Sequence, residues 1–155
     1  MQSLGQLPPE VNQSLASTLE HCDISVALTE VLYQHFQLAL KDNHNDNLIN
    51  YLRMMSSSQA TGIIELALDE LFAQTDKLTL DIVLTITGRC WHLLEPNLTT
   101  LMDYLAKEHE QAVFSGIFTD LVAIPLLRPH LLAMIRTHDR SEALSRAIGK
   151  LFKSN

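Results

Sequence analysis

Leu78-Thr-Leu-Asp-Ile-Val-Leu-Thr-Ile-Thr87 is the stretch on which the fold class turns. Leu78, Leu80, Ile82, Leu84 and Ile86 alternate with Thr79, Asp81, Val83, Thr85 and Thr87. That period of two, rich in β-branched residues, is the pattern of a strand. The same residues also fit a helix, because Ile82, Val83, Ile86, Cys90, Leu93 and Leu94 share one face. A strand needs a partner strand, and no other stretch of the chain offers a convincing one. The helical reading is therefore adopted, and with it an all-α fold.

The flanking sequence reads the same way. Pro8-Pro9-Glu10 opens a first helix running to about His21, since proline suits a first turn and Glu10 complements the positive helix end. Asp23 is the expected N-cap of a long second helix through Leu40, buried on two sides by Ile24, Leu28, Val31, Leu32, Phe36, Leu38 and Ala39. The polar run Lys41–Asn47 joins it to a helix ending at Met55. Ser56-Ser-Ser58 breaks that helix before another bearing Ile63, Ile64, Ala67, Leu68, Leu71 and Phe72. Downstream, Glu95-Pro96-Asn97 separates helices. Helical stretches follow with Leu98, Leu101, Met102 and Leu105, then Val113, Phe114, Ile117 and Phe118. Pro125 and Pro129 bracket a turn before Leu131, Leu132 and Ile135. Asp139-Arg-Ser-Glu142 reads as a capping box with aspartate as the cap. The sum is eight or nine short helices in a compact bundle or array.

Composition agrees with a globular domain. The chain has 155 residues, 46% hydrophobic and 19% charged, with only five glycines and five prolines. That length suits one domain, with residues 1–8 as a flexible lead. Two cysteines, Cys22 and Cys90, do not make a disulfide framework, which points to an intracellular, cytoplasmic protein. The first residues lack the basic and apolar regions of a signal peptide. No run approaches the roughly 18 apolar residues of a membrane span, so no membrane partner is expected.

Charge is the most informative global feature. The formal net charge is −7, but residues 1–123 carry −11 and residues 124–155 carry +4. The acidic body disfavours non-specific binding to nucleic acid. The basic end holds Arg128, Arg136, Arg140, Arg146 and Lys150, the residues expected to bind a partner.

Arg128-Pro-His-Leu-Leu-Ala-Met-Ile-Arg-Thr-His-Asp139, followed by Ala143, Ala147, Ile148 and Leu151, resembles a helical repeat of the HEAT or armadillo type. Such repeats place a proline in the first helix, an aspartate in the turn and small apolar residues in the second. Pro96, Leu98, Leu101, Ala112, Ile117 and Leu121 echo the pattern 33 residues upstream, counted between Pro96 and Pro129. The resemblance covers about the last 60 residues. It implies stacked helix pairs acting as a protein-binding scaffold.

Motifs for chemistry are sparse. Neither H-E-x-x-H nor E-x-x-H occurs, and Cys90-Trp91-His92 supplies at most two of the four ligands that structural zinc needs. Asp42-Asn-His-Asn-Asp46 spaces oxygens as a calcium loop does, without the glycine and glutamate of an EF-hand; a solvated turn is the simpler reading. No phosphate-binding glycine loop or nucleophile elbow is present. His109 lies between Glu108 and Glu110, but adjacent helical residues do not face each other. His35 reads as a packed core histidine.

These observations lead to a non-enzymatic interaction module, an adaptor or a small subunit of an assembly, without cofactor or metal. Its acidic body and basic C-terminal helix pair would meet another protein or a second copy. The apolar run Phe118, Leu121, Val122, Ile124, Leu126 and Leu127 is a candidate anchor, with core packing as the alternative. The second reading is a subunit of a nucleoprotein complex contacting phosphates through the basic residues. The third is an enzyme with a dispersed site at His92, His109, His130 or His138.

Overall fold

The computed structural model describes Leu4 and residues 7–153; the flexible lead expected over 1–8 falls largely outside them. Among the described residues there are nine α-helices and no strand. The chain divides into two compact units, Met1–Leu94 and Glu95–Asn155.

The first unit holds α1 (Pro9–Leu19), α2 (Val26–Asp42), α3 (Asn45–Met55), α4 (Thr61–Phe72) and α5 (Leu80–Arg89). α3 is its centre, packing on α1, α2 and α5, while α4 lies on α2. Six residues of α3 are buried, with Leu48, Leu52, Met54 and Met55 wholly enclosed. Truncating any of these leucines to alanine would cost about 2–5 kcal/mol, the transfer energy plus the cavity left behind.

Local chemistry sets the ends of these helices. Ser25, not Asp23, caps α2: its backbone is extended and its hydroxyl accepts the Leu28 N–H at 3.2 Å. α2 ends at Asn43, whose φ of 58° is the left-handed conformation that asparagine tolerates after a helix. Lys77 Nζ donates to the Leu40 carbonyl at 2.6 Å, satisfying another of the terminal acceptors. The serine run is structural. Ser57 Oγ bonds the Leu19 carbonyl at 3.1 Å, and Ser58 Oγ lies 2.6 Å from the buried Thr29 hydroxyl.

The deciding stretch is helical. Thr79 has extended backbone and accepts the Ile82 N–H at 3.3 Å, opening α5. Ile82, Val83 and Ile86 are fully buried, whereas Leu84 is 50% exposed. A strand would send Ile82 and Val83 to opposite faces. Burial of both together follows the helical period.

The second unit holds α6 (Leu98–Glu108), α7 (Gln111–Ala123), α8 (Arg128–Arg136) and α9 (Glu142–Leu151). α6 packs on α7, α8 and α9, and α7 also meets α8 and α9. Its core includes Leu101, Met102, Leu105, Phe114, Leu121, Leu127, Leu131 and Leu144. Half of the candidate anchor belongs to this core: Phe118, Leu121 and Leu127 are buried, Val122 and Ile124 are half-buried, and Leu126 is 52% exposed. Ser141, not Asp139, caps α9, accepting the Leu144 N–H at 3.1 Å. The same hydroxyl bonds Asp103 of α6, so the start of α9 is fixed to its neighbour. No helix among the described residues is long and apolar enough to cross a membrane.

Candidate functional site

The five basic residues of the C-terminal part fall into three environments. Arg128 turns back on the helix before it: Nε donates to the Val122 carbonyl at 2.8 Å and Nη2 to the Ala123 carbonyl at 3.3 Å. Arg140 does the same for α8, its Nη1 donating to the Met134 and Ile135 carbonyls. A helix ends with unpaired carbonyls and a partial negative charge, and an arginine just beyond it answers both. The guanidiniums of Arg128 and Arg140 therefore act as C-terminal caps.

Arg136 stands in the last turn of α8 and is exposed. α8 buries only Leu131 and Met134 of its nine residues. Pro129, Leu132, Ala133 and Arg136 are all exposed. Their spacing of three and four residues puts them on one side of the helix. Leu132 is 40% exposed there, an apolar side chain beside a cation.

Arg146 and Lys150, one turn apart on α9, are brought together. They line a cleft of about 220 Å³ with His109, Gln111 and the small side chains of Ala106 and Ala143. Gln111 Nε2 braces the cleft by donating to the Ala147 carbonyl at 3.0 Å and to Ser115 Oγ at 3.1 Å. His109 Nε2 lies 3.2 Å from the Tyr104 hydroxyl. Arg146 also pairs with Glu142 at 3.3 Å, an exposed contact of small worth.

The remaining histidines are dispersed. His92 lies edge-on to Trp91. His130 Nδ1 is 3.3 Å from Glu95, and His138 is exposed. Among the described residues, no group of three or more His, Cys, Asp or Glu side chains is placed to hold a metal ion. Cys90 is buried, which pushes its thiol pKa up to about 12.

The first unit contains a charged cluster that the sequence reading missed. The Glu20 carboxylate, 4% exposed, receives Arg53 Nε at 2.7 Å and Arg53 Nη2 at 3.0 Å. Arg89 Nη2 joins it at 3.2 Å. The Arg53 bonds hold the Glu20 pKa below its ordinary value, against the opposing effect of burial. Glu20 follows the end of α1, and Arg53 and Arg89 sit in the last turns of α3 and α5. Three negative helix ends and a carboxylate thus meet two cations. The two cations are outweighed by these partners and by Asp81, so the adjoining cleft of about 540 Å³, lined by Leu84, Ile49, Asp81 and both arginines, has no net positive charge to attract an anion. The partners lie 33 and 69 residues from Glu20, too far apart for local spacing to reveal them.

No curated protein and no solved structure matches the chain. Residues 1–152 match a family model described as a protein of unknown function, DUF3549, and the chain belongs to that family.

Proposed function

We propose that the chain is a non-enzymatic protein-interaction module, an adaptor or small subunit, that engages its partner through α8 and α9. The observation that carries this reading is the exposure of α8. A nine-residue helix anchored by two side chains presents Leu132, Ala133 and Arg136 on one side, with Arg146 and Lys150 beside a cleft on α9. Apolar side chains rimmed by cations suit a partner segment with an apolar anchor and acidic flanks. A second copy of this chain qualifies, because residues 1–94 carry a formal net charge of −7. The four helices of the second unit are read as a compact array whose last pair is the docking element.

A protein partner is favoured over nucleic acid by the use made of the cations. Arg128 and Arg140 bond backbone carbonyls, and residues 95–155 carry seven basic and seven acidic side chains. Phosphate recognition draws on accumulated, unpaired positive charge.

Sedimentation velocity across a salt series tests the self-association form. Association that weakens as salt rises, and that Arg136→Glu abolishes, supports it. A monomer at every salt concentration rules out the second copy as partner. Retention of RNA or DNA in a low-salt filter assay, lost in Arg136→Glu, would replace the proposal with the nucleoprotein reading.

A further inference from the structure

α1 and α3 run parallel: Asn12 bonds Asn47 near one end, and Glu20 bonds Arg53 at the other. Their N-terminal ends therefore lie together, opposite the balanced charge cluster. Neither end has a side-chain cap, since Pro8 and His44 occupy the cap positions and neither side chain bonds a helix N–H. The N-terminus of α3 opens on a cavity of about 350 Å³, lined by Pro9, His44, Asn45, Asp46, Asn47 and Asn50. That volume is at the lower end of the range for small-molecule sites, roughly 300–1,000 Å³.

Two side chains there are arranged as if for a ligand. Asn50 is only 8% exposed, lines the cavity, and has no hydrogen-bond partner among the described residues. The enclosed side-chain atoms without a partner among the described residues are Asn12 Oδ1 and Arg140 Nε, so the Asn50 amide reaches water through the cavity, where a bound molecule with matching groups would take that water's place. Asn47 is held from behind: Asn12, 2% exposed, donates to Asn47 Oδ1 at 3.1 Å. That bond fixes the amide plane and leaves the Asn47 N–H₂ group to donate elsewhere.

Charge selects the class of ligand. Each helix N-terminus contributes about half a positive charge, and Asp46 contributes one negative charge. The sum is near zero. An anion would meet the Asp46 carboxylate, and a divalent cation would find one carboxylate facing two positive helix ends, too little for a calcium site. What the cavity offers instead is a mixture of donors and acceptors: amides that do both, a carboxylate that accepts, and backbone N–H groups that donate. Vicinal hydroxyl groups, which donate and accept side by side, complement that mixture. We infer that this cavity binds a neutral polyhydroxylated molecule, a saccharide or polyol, through Asp46, Asn47 and Asn50.

Titrating isotopically labelled full-length protein with glucose, mannose, N-acetylglucosamine and glycerol, while following the side-chain amide NMR signals, tests this. Saturable shifts centred on Asn47 and Asn50 with at least one of these probes are expected. Asn50→Leu should weaken binding at least tenfold. Asp46→Ala, at an exposed position where folding is not at stake, should weaken it as well. Separate titrations use inorganic phosphate and calcium chloride. The inference fails if no sugar or polyol gives a saturable shift, if phosphate or calcium binds in their place, or if both variants bind as the unaltered chain does.

Discussion

The Glu20 carboxylate is enclosed with two guanidiniums, so its removal leaves Arg53 without its counter-charge. Losing one partner of a buried pair costs about 3–5 kcal/mol; Arg53 retains 21% exposure, so Glu20→Gln should cost less, about 2 kcal/mol in urea unfolding. The effect carries a pH signature. The folded-state pKa lies below the ordinary value of 4.5, so the carboxylate stabilises the fold above that value. The contribution falls away as pH drops below it through the folded pKa. The difference in urea midpoint between Glu20→Gln and the unaltered chain should therefore shrink on going from neutral pH to about pH 3.5. The two thiols separate as cleanly. Cys22 is exposed and Cys90 buried, so a thiol reagent should modify Cys22 at once and Cys90 only on unfolding; equal rates would show the Cys90 site to be open. At this scale the sequence was partly legible. The apolar face that Cys90 shares with Ile82, Val83 and Ile86 was legible in the spacing, and the serine run was legible as a break between helices, but not the hydrogen bonds it makes. The Glu20 cluster was invisible because its members converge only when α1, α3 and α5 are packed.

The helices were legible from apolar spacing, and their starts less so. Both the Asp23 and Asp139 assignments fell two residues short of the observed caps, Ser25 and Ser141. Two residues able to cap stood close together in each case. The choice was made by packing, which fixes where the first buried turn begins: Thr29 and Leu32 in α2, Leu144 and Ala147 in α9. Ser141→Ala should destabilise the protein by about 1–2 kcal/mol, since it removes both the cap and the bond to Asp103. Asp139→Ala should stay within about 0.5 kcal/mol. Thermal unfolding of the two variants checks the order; the reverse order would place the cap at Asp139. The stretch from Leu78 to Thr87 shows the limit of pattern alone. Its alternation is genuine, but Val83 is buried beside Ile82, and only the lack of a partner strand argued for helix beforehand. The basic residues fall into separate environments for a related reason. Arg128 and Arg140 each follow the end of a helix by a few residues, the position from which a long cation reaches back to terminal carbonyls. That position was the available signal.

Charge at the scale of the whole chain was plain from the sequence, and the structure refines where it lies. Within the second unit, residues 95–127 carry −4 and residues 128–155 carry +4, so α8 and α9 form the basic half of a unit that is neutral overall. On that half, α8 buries two of its nine residues and α9 three of its ten. If the exposed side of α8 is where a partner docks, Leu132→Ala should cost no more than about 1 kcal/mol, because 40% of the residue is already open to water. A loss above about 2 kcal/mol would instead mark Leu132 as part of the core. The most direct test of the docking claim installs a photoactivatable cross-linking side chain at position 132 in cells, with the same group at Leu66, 53% exposed on α4, as the control. A discrete protein adduct is expected from position 132, a second copy of the chain included, that Arg136→Glu removes and that position 66 does not give. Adducts to nucleic acid alone, or no adduct at 132 beyond that seen at 66, would contradict the docking claim.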